Sequence, residues 1–91
     1  MVKLRINPIV VNDLRSIHEY IAEDSEKNAD RLVTELYGKF ENLQLFPEIG
    51  SDLSNRVSFR TDYKYAIWEN YLIIYKYNHT YVEIYRVLSR Y

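Results

Sequence analysis

The 91-residue chain is long enough for one domain and too short for two hydrophobic cores, so we expect residues 1–91 to fold as a single domain. Hydrophobic residues make up 47% and charged residues 27%, which excludes a disordered chain. The absence of cysteine excludes disulfides and thiolate metal sites. A net charge of -1 disfavours a dedicated nucleic-acid binder, because such proteins are usually basic, so nucleic-acid contact would need a local patch of cations.

No targeting segment or cofactor motif stands out. Polar and apolar residues alternate at the N-terminus, unlike the continuous apolar stretch of a signal peptide, and no segment has transmembrane length. We therefore expect a cytoplasmic protein without a membrane partner. His18 and His79 have no cysteine or acidic ligand pattern beside them, and the two glycines, Gly38 and Gly50, form no phosphate-binding loop. We expect neither a metal ion nor a cofactor.

The first part of the chain predicts a strand followed by a helix. Polar and apolar residues alternate as in a half-buried strand, with the apolar positions at Val2, Leu4 and Ile6. Asn7 and Pro8 suit the cap and the first position of a helix. One apolar stripe follows at helical spacing, formed by Val10, Leu14, Ile17 and Ile21. The polar run over residues 22–26 ends this helix.

A second amphipathic helix is predicted after Ser25, which is a suitable cap. Its buried face is formed by Ala29, Leu32, Val33, Leu36, Tyr37, Phe40 and Leu43. Pro47 and Gly50 end the helix. Because neither helix can bury its stripe alone, we expect a helical hairpin packed on another layer.

The second half is rich in β-branched and aromatic residues, which favour strands. Apolar and polar residues alternate from Val57 to Ile67, and polar breaks at residues 69–70 and 78–80 have the length of hairpin loops. Strands are expected before, between and after these breaks. The predicted order is β-α-α-β-β-β, an α+β domain whose helical hairpin packs on one face of a twisted, mainly antiparallel four-stranded sheet.

Four blocks in order along nearly the whole chain resemble toxins of the RelE/ParE superfamily. Residues 6–22, which begin INP and contain NDL and IHEYIA, are similar to the first strand and helix of that family. Residues 43–50 (LQLFPEIG) resemble its "L..FPe.G" helix ending, and residues 70–75 (NYLIIY) resemble its "nYlIfY" strand. Residues 82–88 (VEIYRVL) resemble its "v.I.rVl" last strand. The common order and spacing of the blocks carry the resemblance.

The resemblance implies a two-layer fold and the toxin component of a bacterial type II toxin–antitoxin system. Such a toxin arrests growth until a cognate antitoxin neutralises it in a hetero-oligomer. The resemblance leaves the target open, since ParE-like members poison DNA gyrase, whereas RelE-like members are ribosome-dependent mRNA endonucleases (mRNA interferases) that need no metal. A third alternative is an inactive relative that keeps only antitoxin binding.

Cations are the candidate site residues. Arg56, Arg60 and Lys64 are spaced by four residues, so a regular strand would place them on one sheet face as a target- or RNA-binding surface. The alternative is an ordinary solvated polar face. If the protein is RelE-like, attack of the 2′-hydroxyl on the neighbouring phosphate requires charge stabilisation and proton transfer. The residues implied for this catalysis are Lys64, Arg86, Arg90 and Tyr91.

Departures from the RelE-like pattern favour the gyrase target. Leu72 stands where RelE-like members usually have an arginine, and leucine cannot neutralise a phosphate. The RelE-like catalytic tail is also longer than the three residues that follow Leu88. With a net charge of -1, docking to the ribosome lacks electrostatic support. We therefore favour a ParE-like gyrase inhibitor, with the mRNA endonuclease as the alternative.

Aromatic residues supply the candidate antitoxin contacts. Most of the ten tyrosines are explained by strand propensity and packing rather than by base stacking. Tyr37, Trp68 and Tyr85 are the candidates for exposed contact with an antitoxin, which in such pairs docks as a helix in an apolar groove or as an added strand. The alternative for Trp68 is an anchor of the core or of the hairpin.

Overall fold

The computed structural model describes residues 1–90, and Tyr91 lies outside the described residues. The elements follow in the order β1 (Lys3–Ile6), α1 (Pro8–Ala22), α2 (Glu26–Leu45), β2 (Ser51–Asp52), β3 (Lys64–Trp68), β4 (Tyr71–Tyr77) and β5 (Tyr81–Ser89). Short 3-10 helices occupy Pro47–Ile49 and Leu53–Asn55. The predicted order β-α-α-β-β-β is confirmed, with the addition of the short strand β2.

Both helices begin at the predicted caps. Asn7 Oδ1 and Ser25 Oγ each accept a hydrogen bond from a backbone N–H of the first turn, at 3.1 and 3.2 Å. Helix α2 ends at Leu45 because Pro47 disfavours helical backbone at the preceding residue, Phe46. No helix within residues 1–90 is both long and apolar enough to cross a membrane.

The five strands form one mixed sheet in the order β1-β5-β4-β3-β2. Strand β1 runs parallel to β5, and the other neighbours are antiparallel. The prediction of four strands is thus corrected to five, because β2 has only two residues and is too short to show an alternation. Strand β5 lies inside the sheet, between β1 and β4.

Helices α1 and α2 pack on one side of the sheet, which we call the inner face. The core joins the helical stripes to this face and contains Val10, Leu14, Leu32, Leu36, Phe40, Leu43, Ile73, Tyr75, Val82, Ile84 and Val87. Two residues of the stripe predicted for α2 are not fully buried, because Val33 is half-buried and Tyr37 is 40% exposed. The stripes otherwise lie where the helical periodicity predicts them.

The opposite side of the sheet, which we call the open face, is not covered by a helix of residues 1–90. Side chains alternate across a strand, so the residues paired between the core positions point to this face. By register they are Lys3, Arg5, Tyr65, Ile67, Leu72, Ile74, Lys76, Tyr81, Glu83 and Leu88. The register shifts beside Tyr85, which forms a bulge in β5.

Residues 56–63 do not form the strand that their alternation predicts. Strand β3 begins only at Lys64, and the preceding segment follows the 3-10 helix Leu53–Asn55 as irregular backbone. The Ser54 hydroxyl donates a hydrogen bond to the Thr61 carbonyl oxygen and accepts one from the Thr61 N–H, both at 3.0 Å. These local bonds close a compact loop in place of a strand ladder.

The cations of this region therefore do not share one sheet face, contrary to the prediction. Lys64 pairs with the core residue Tyr75 and lies on the inner face. The Arg56 guanidinium lies over the ring of Tyr65, an open-face residue. Arg60 is exposed within the loop. The spacing of four residues between these cations does not place them on one face, because the segment that joins them is not a strand.

Candidate functional site

Lys64 is held in place at the start of β3. Its Nζ atom donates hydrogen bonds to the Gly50 carbonyl oxygen at 3.3 Å and to Asp52 Oδ1 at 3.0 Å. The side chain is only 18% exposed, so Asp52 offsets its charge at short range. Together with Asp62 and Lys76, Lys64 lines an open depression of about 970 Å³. It thus ties β3 to β2 and also faces this depression.

Arg86 forms a bidentate ion pair with Asp13 of α1. Arg86 Nε donates to Asp13 Oδ2 and Arg86 Nη2 donates to Asp13 Oδ1, both at 2.9 Å. The backbone N–H of Val87 also donates to Asp13 Oδ2, at 3.0 Å. The hydrogen bond to Asp13 raises the pKa of Arg86 further above its ordinary value. The ion pair between Arg86 and Asp13 therefore joins strand β5 to helix α1.

No feature of the sequence marks Asp13 as the partner of Arg86. It lies beside the apolar stripe of α1, and its side chain is 11% exposed. Carboxylates on helix surfaces are common, so the sequence contains no signal that would pair Asp13 with a strand at the other end of the chain. Its importance is visible only once β5 and α1 have packed together.

Arg90 lies at the β3–β4 turn. Its backbone N–H donates to the Asn70 carbonyl oxygen at 2.8 Å, and its Nη1 donates to the Glu69 carbonyl oxygen at 3.2 Å. This turn follows Trp68, at the opposite end of β3 from Lys64. Four residue steps along a strand correspond to about 13 Å. The remaining residue of the predicted catalytic set, Tyr91, lies outside the described residues.

The described members of the predicted catalytic set are thus not brought together. Lys64 is on the inner face at one end of β3, and Arg90 is at the turn beyond its other end. Arg86 is engaged by a carboxylate of α1. Within residues 1–90, no group of three or more histidine, cysteine or acidic residues is arranged to hold a metal ion.

Tyrosine rings and cations pack together on and beside the open face. The Tyr63 and Tyr85 rings lie 5.0 Å apart between centroids, and Lys76 Nζ lies 5.1 Å from the Tyr63 centroid. Electrostatic interaction with Tyr63 raises the pKa of Lys76. The Arg5 guanidinium lies 4.1 Å from the Tyr81 centroid. Contacts of this kind are cation–π interactions, which hold the cations against the rings.

The three predicted antitoxin contacts lie in different parts of the molecule. Tyr37 is on α2, 40% exposed, with its ring edge-to-face against Phe40 at 5.5 Å. Trp68 is half-buried at the end of β3 and packs against the core. Tyr85 is 39% exposed at the bulge of β5. A single small partner element cannot contact all three, whereas a segment that wraps around the domain can.

Comparison with known proteins identifies the family. The helical hairpin on a mixed sheet is shared with a solved structure described as the chromosomal ParDE TA system from P. aeruginosa, with a TM-score of 0.79 and 15% sequence identity over 98% of this chain and 96% of that one. At that identity the likeness shows the fold. No curated protein sequence matches. The model of the family described as ParE toxin of type II toxin-antitoxin system, parDE, matches residues 4–91. The chain therefore belongs to the ParE toxin family, within the RelE/ParE superfamily.

Proposed function

We propose that this ParE-family toxin inhibits DNA gyrase, arrests growth, and is neutralised by a cognate antitoxin with which it forms a hetero-oligomer. The observation that carries the proposal is the dispersal of the cations that RNA cleavage would require. Metal-free cleavage needs charged groups within hydrogen-bonding distance of one phosphate. Lys64 begins β3 and Arg90 lies at the turn beyond the other end of this strand, and the two ends of β3 are about 13 Å apart.

The surroundings of Leu72 support the same choice of target. Leu72 is half-buried on the open face and pairs with Ile67 on one side and Leu88 on the other. An arginine usually stands at this position in the RNA-cleaving members that the chain resembles. In this chain the position belongs to an apolar row across three strands, and an apolar row cannot stabilise the negative charge that develops during RNA cleavage.

Supercoiling by purified gyrase tests the proposal. We expect the purified toxin to inhibit the supercoiling of a relaxed plasmid by gyrase and to cause cleaved DNA to accumulate. Relaxation of DNA by a type I topoisomerase should continue unchanged. No effect on gyrase at a large molar excess of toxin would contradict the proposal. Codon-linked cuts in mRNA after toxin induction, detected by primer extension, would instead support the endonuclease. Harmless expression without an antitoxin would indicate an inactive relative.

Arg56, Arg60 and Lys64 are the proposed contacts with the target. Arg60 is the most informative of them, because it is exposed and has no ion-pair partner within residues 1–90. We expect Arg60→Glu to weaken gyrase inhibition about tenfold, since an attractive charge contact becomes repulsive. The matched control is Lys27→Glu, an exposed position on α2. Equal inhibition by the two variants would remove Arg60 from the proposed contact.

Antitoxin binding is proposed to involve Tyr37, Trp68 and Tyr85. These residues lie on different surfaces, so the proposal requires an antitoxin that wraps around the toxin. Coexpression with the antitoxin should restore growth and yield a complex that stays together in size-exclusion chromatography. Replacement of Tyr37 or Tyr85 by alanine should weaken that complex. Retention of full affinity in both variants would count against these contacts.

A further inference from the structure

Phe59 is exposed in the loop that joins β2 to β3, residues 53–63. The residue is 64% exposed, although phenylalanine is among the residue types most often buried. It lies in the irregular segment that stands in place of the predicted strand. Single exposed apolar residues are common on protein surfaces, so this exposure gains meaning only from the loop that carries the ring.

Hydrogen bonds close the neck of this loop. The Leu53 N–H donates to the Tyr63 carbonyl oxygen at 3.0 Å. One residue further in, the Ser54 hydroxyl bonds twice to the backbone of Thr61, once as donor and once as acceptor. The chain between these pairs, residues 55–60, therefore forms a tip that is fixed at both of its ends.

The tip is also held from within. The N–H groups of Arg56 and Val57 both donate to the Leu53 carbonyl oxygen, at 2.9 and 3.3 Å. The Arg56 guanidinium lies 4.9 Å from the ring centroid of Tyr65 and so packs the tip against the sheet. A loop fixed in this way loses little conformational freedom on binding, so more of its contact free energy contributes to affinity.

Positive charge surrounds Phe59 in this tip. Arg56 and Arg60 lie three residues before it and one residue after it, and both are exposed. Residues 53–60 include no acidic residue. Asp62, which follows the tip, lines the depression beside β3. The tip thus combines an exposed apolar ring with two cations, although the whole chain has a net charge of -1.

This combination suits a protein surface better than a nucleic acid. A phenylalanine ring can stack on an unpaired base, but binding to nucleic acid also depends on several cations along a phosphate backbone. In protein–protein contacts, by contrast, one aromatic ring in a desolvated pocket can supply much of the binding free energy. Guanidinium groups beside such a ring pair with carboxylates. The complementary surface is therefore an apolar pocket bordered by acidic residues.

We propose that Phe59 is the anchor by which the toxin binds gyrase, its ring filling an apolar pocket of the enzyme while Arg56 and Arg60 pair with carboxylates at the rim. This inference rests on the proposed function, which names the target and the two arginines but no apolar contact. Ser54 is a positioning residue in this arrangement, because it holds the tip through the backbone of Thr61.

Inhibition of gyrase over a range of toxin concentrations tests the anchor. Phe59→Ala should raise the concentration for half-maximal inhibition of supercoiling about thirtyfold, as expected when an anchoring ring is lost. Phe59→Leu keeps part of the apolar surface and should raise it only about fivefold. The matched control is Tyr20→Ala, which removes a 76%-exposed ring of α1 and should leave inhibition unchanged. Inhibition by Phe59→Ala equal to that of the wild type, or equal losses in Phe59→Ala and Phe59→Leu, would overturn the proposal.

Ser54→Ala tests the positioning role of the loop neck. It should weaken inhibition about fivefold, because a looser tip loses more conformational freedom on binding. The same change should have a smaller effect in a chain that already carries Phe59→Ala, since no anchor is left to position. Equal effects in the two backgrounds would show that the neck does not act through Phe59. Thermal midpoints show that the variants are folded, and that of Phe59→Ala should match the wild type because the position is exposed.

Two further measurements separate this inference from the proposed function. If Phe59→Ala inhibits gyrase as well as the wild type does, the anchor is wrong and the proposed function stands. If the wild type arrests growth without inhibiting gyrase, and Phe59→Ala but not Tyr20→Ala abolishes the arrest, the anchor stands and the proposed target is wrong. A wild type that neither inhibits gyrase nor arrests growth would overturn both. Fluorescence anisotropy with DNA oligonucleotides should show the same binding for Phe59→Ala and the wild type, and loss of DNA binding would assign the ring to nucleic acid instead.

Discussion

Loss of the Asp13 carboxylate should destabilise the domain more than loss of other surface acidic residues. Asp13 accepts two hydrogen bonds from Arg86 and one from the Val87 N–H, all between 2.9 and 3.0 Å. In Asp13→Ala the Arg86 guanidinium loses its only ion-pair partner described within residues 1–90, and the Val87 N–H loses its acceptor. Helix α1 would then lose the polar contacts of Asp13 with β5.

The magnitude follows from the burial of the two partners. A hydrogen bond to a charged group contributes about 1.5–3 kcal/mol, and an abandoned buried donor costs about 1–3 kcal/mol. The Arg86 side chain is 33% exposed and can recover hydration, so these costs are only partly realised. We expect Asp13→Ala to lower the free energy of unfolding by about 2–4 kcal/mol.

Urea denaturation followed by circular dichroism measures this change. With a slope of about 1.5 kcal/mol/M, the midpoint should fall by about 2 M. A double-mutant cycle with Arg86→Ala should give a coupling energy of about 1–2 kcal/mol. The matched control is Asp30→Ala, which removes a 2.7 Å hydrogen bond between His18 of α1 and Asp30 of α2, in which Asp30 is 71% exposed. Exposed pairs contribute about 0–1 kcal/mol.

Two outcomes would refute this reasoning about Asp13. Equal destabilisation by Asp13→Ala and Asp30→Ala would show that burial and bidentate geometry add nothing. A coupling energy near zero would show that Arg86 and Asp13 do not stabilise one another. In that case Arg86 would be free to act on a ligand, as the RelE-like hypothesis requires.

Further predictions concern the turn after α2 and the β3–β4 hairpin. In Gly50→Ala the new Cβ would collide with the Tyr75 hydroxyl, so the free energy of unfolding should fall by about 1–3 kcal/mol in urea titrations; no change would show that the turn can move aside. Tyr75→Phe removes a hydrogen bond to the Pro47 carbonyl oxygen at 2.6 Å and one from the Gly50 N–H at 2.9 Å, and should cost about 1–3 kcal/mol. Burial raises the pKa of Tyr75 above its ordinary 10.0, so this tyrosine ionises at lower pH in the unfolded chain and the free energy of unfolding should fall above pH 10. The fall should be shallower in Tyr75→Phe, and an identical slope in both proteins would show that Tyr75 does not cause it. Glu69 has a φ of 51°, so Glu69→Gly should raise the thermal midpoint by stabilising the hairpin about 1 kcal/mol; a lower midpoint would count against strain at this position.

The helices and their ends could be predicted from the sequence because the residues that determine them are close together in the chain. The cap at Ser25 and the stop before Pro47 depend on residues within one or two turns. The strands β4 and β5 are bounded by polar breaks that are equally local. The strand predicted for residues 56–63 was wrong because the Ser54 hydroxyl bonds to the backbone of Thr61 and closes a loop there. The alternation of polar and apolar residues does not show whether such a loop or a strand is the more stable.

The candidate site could be predicted only as a set of residue types. Lys64 and Arg86 were named from their charge, but their surroundings depend on Asp52 and Asp13, which reach them through the packing of other elements. Asp13 and Arg86 lie in the first helix and the last strand, and no local pattern relates them. Charge and spacing therefore indicate which residues could bind a ligand. The tertiary packing determines which of these residues are instead paired with carboxylates of the same chain.

The parallel pairing of β1 with β5 has a consequence for the order of events during synthesis. Lys3 pairs with Tyr81, so the strand made first waits for the strand made last before the sheet can close. At roughly 5–20 residues per second this delay is on the order of 4–15 s. Such long-range pairing also slows folding, because a large loop must close before its contacts stabilise it. A newly made toxin therefore passes through a period in which β1 and the first helix exist without their sheet partner, and during that period it has no completed surface with which to act.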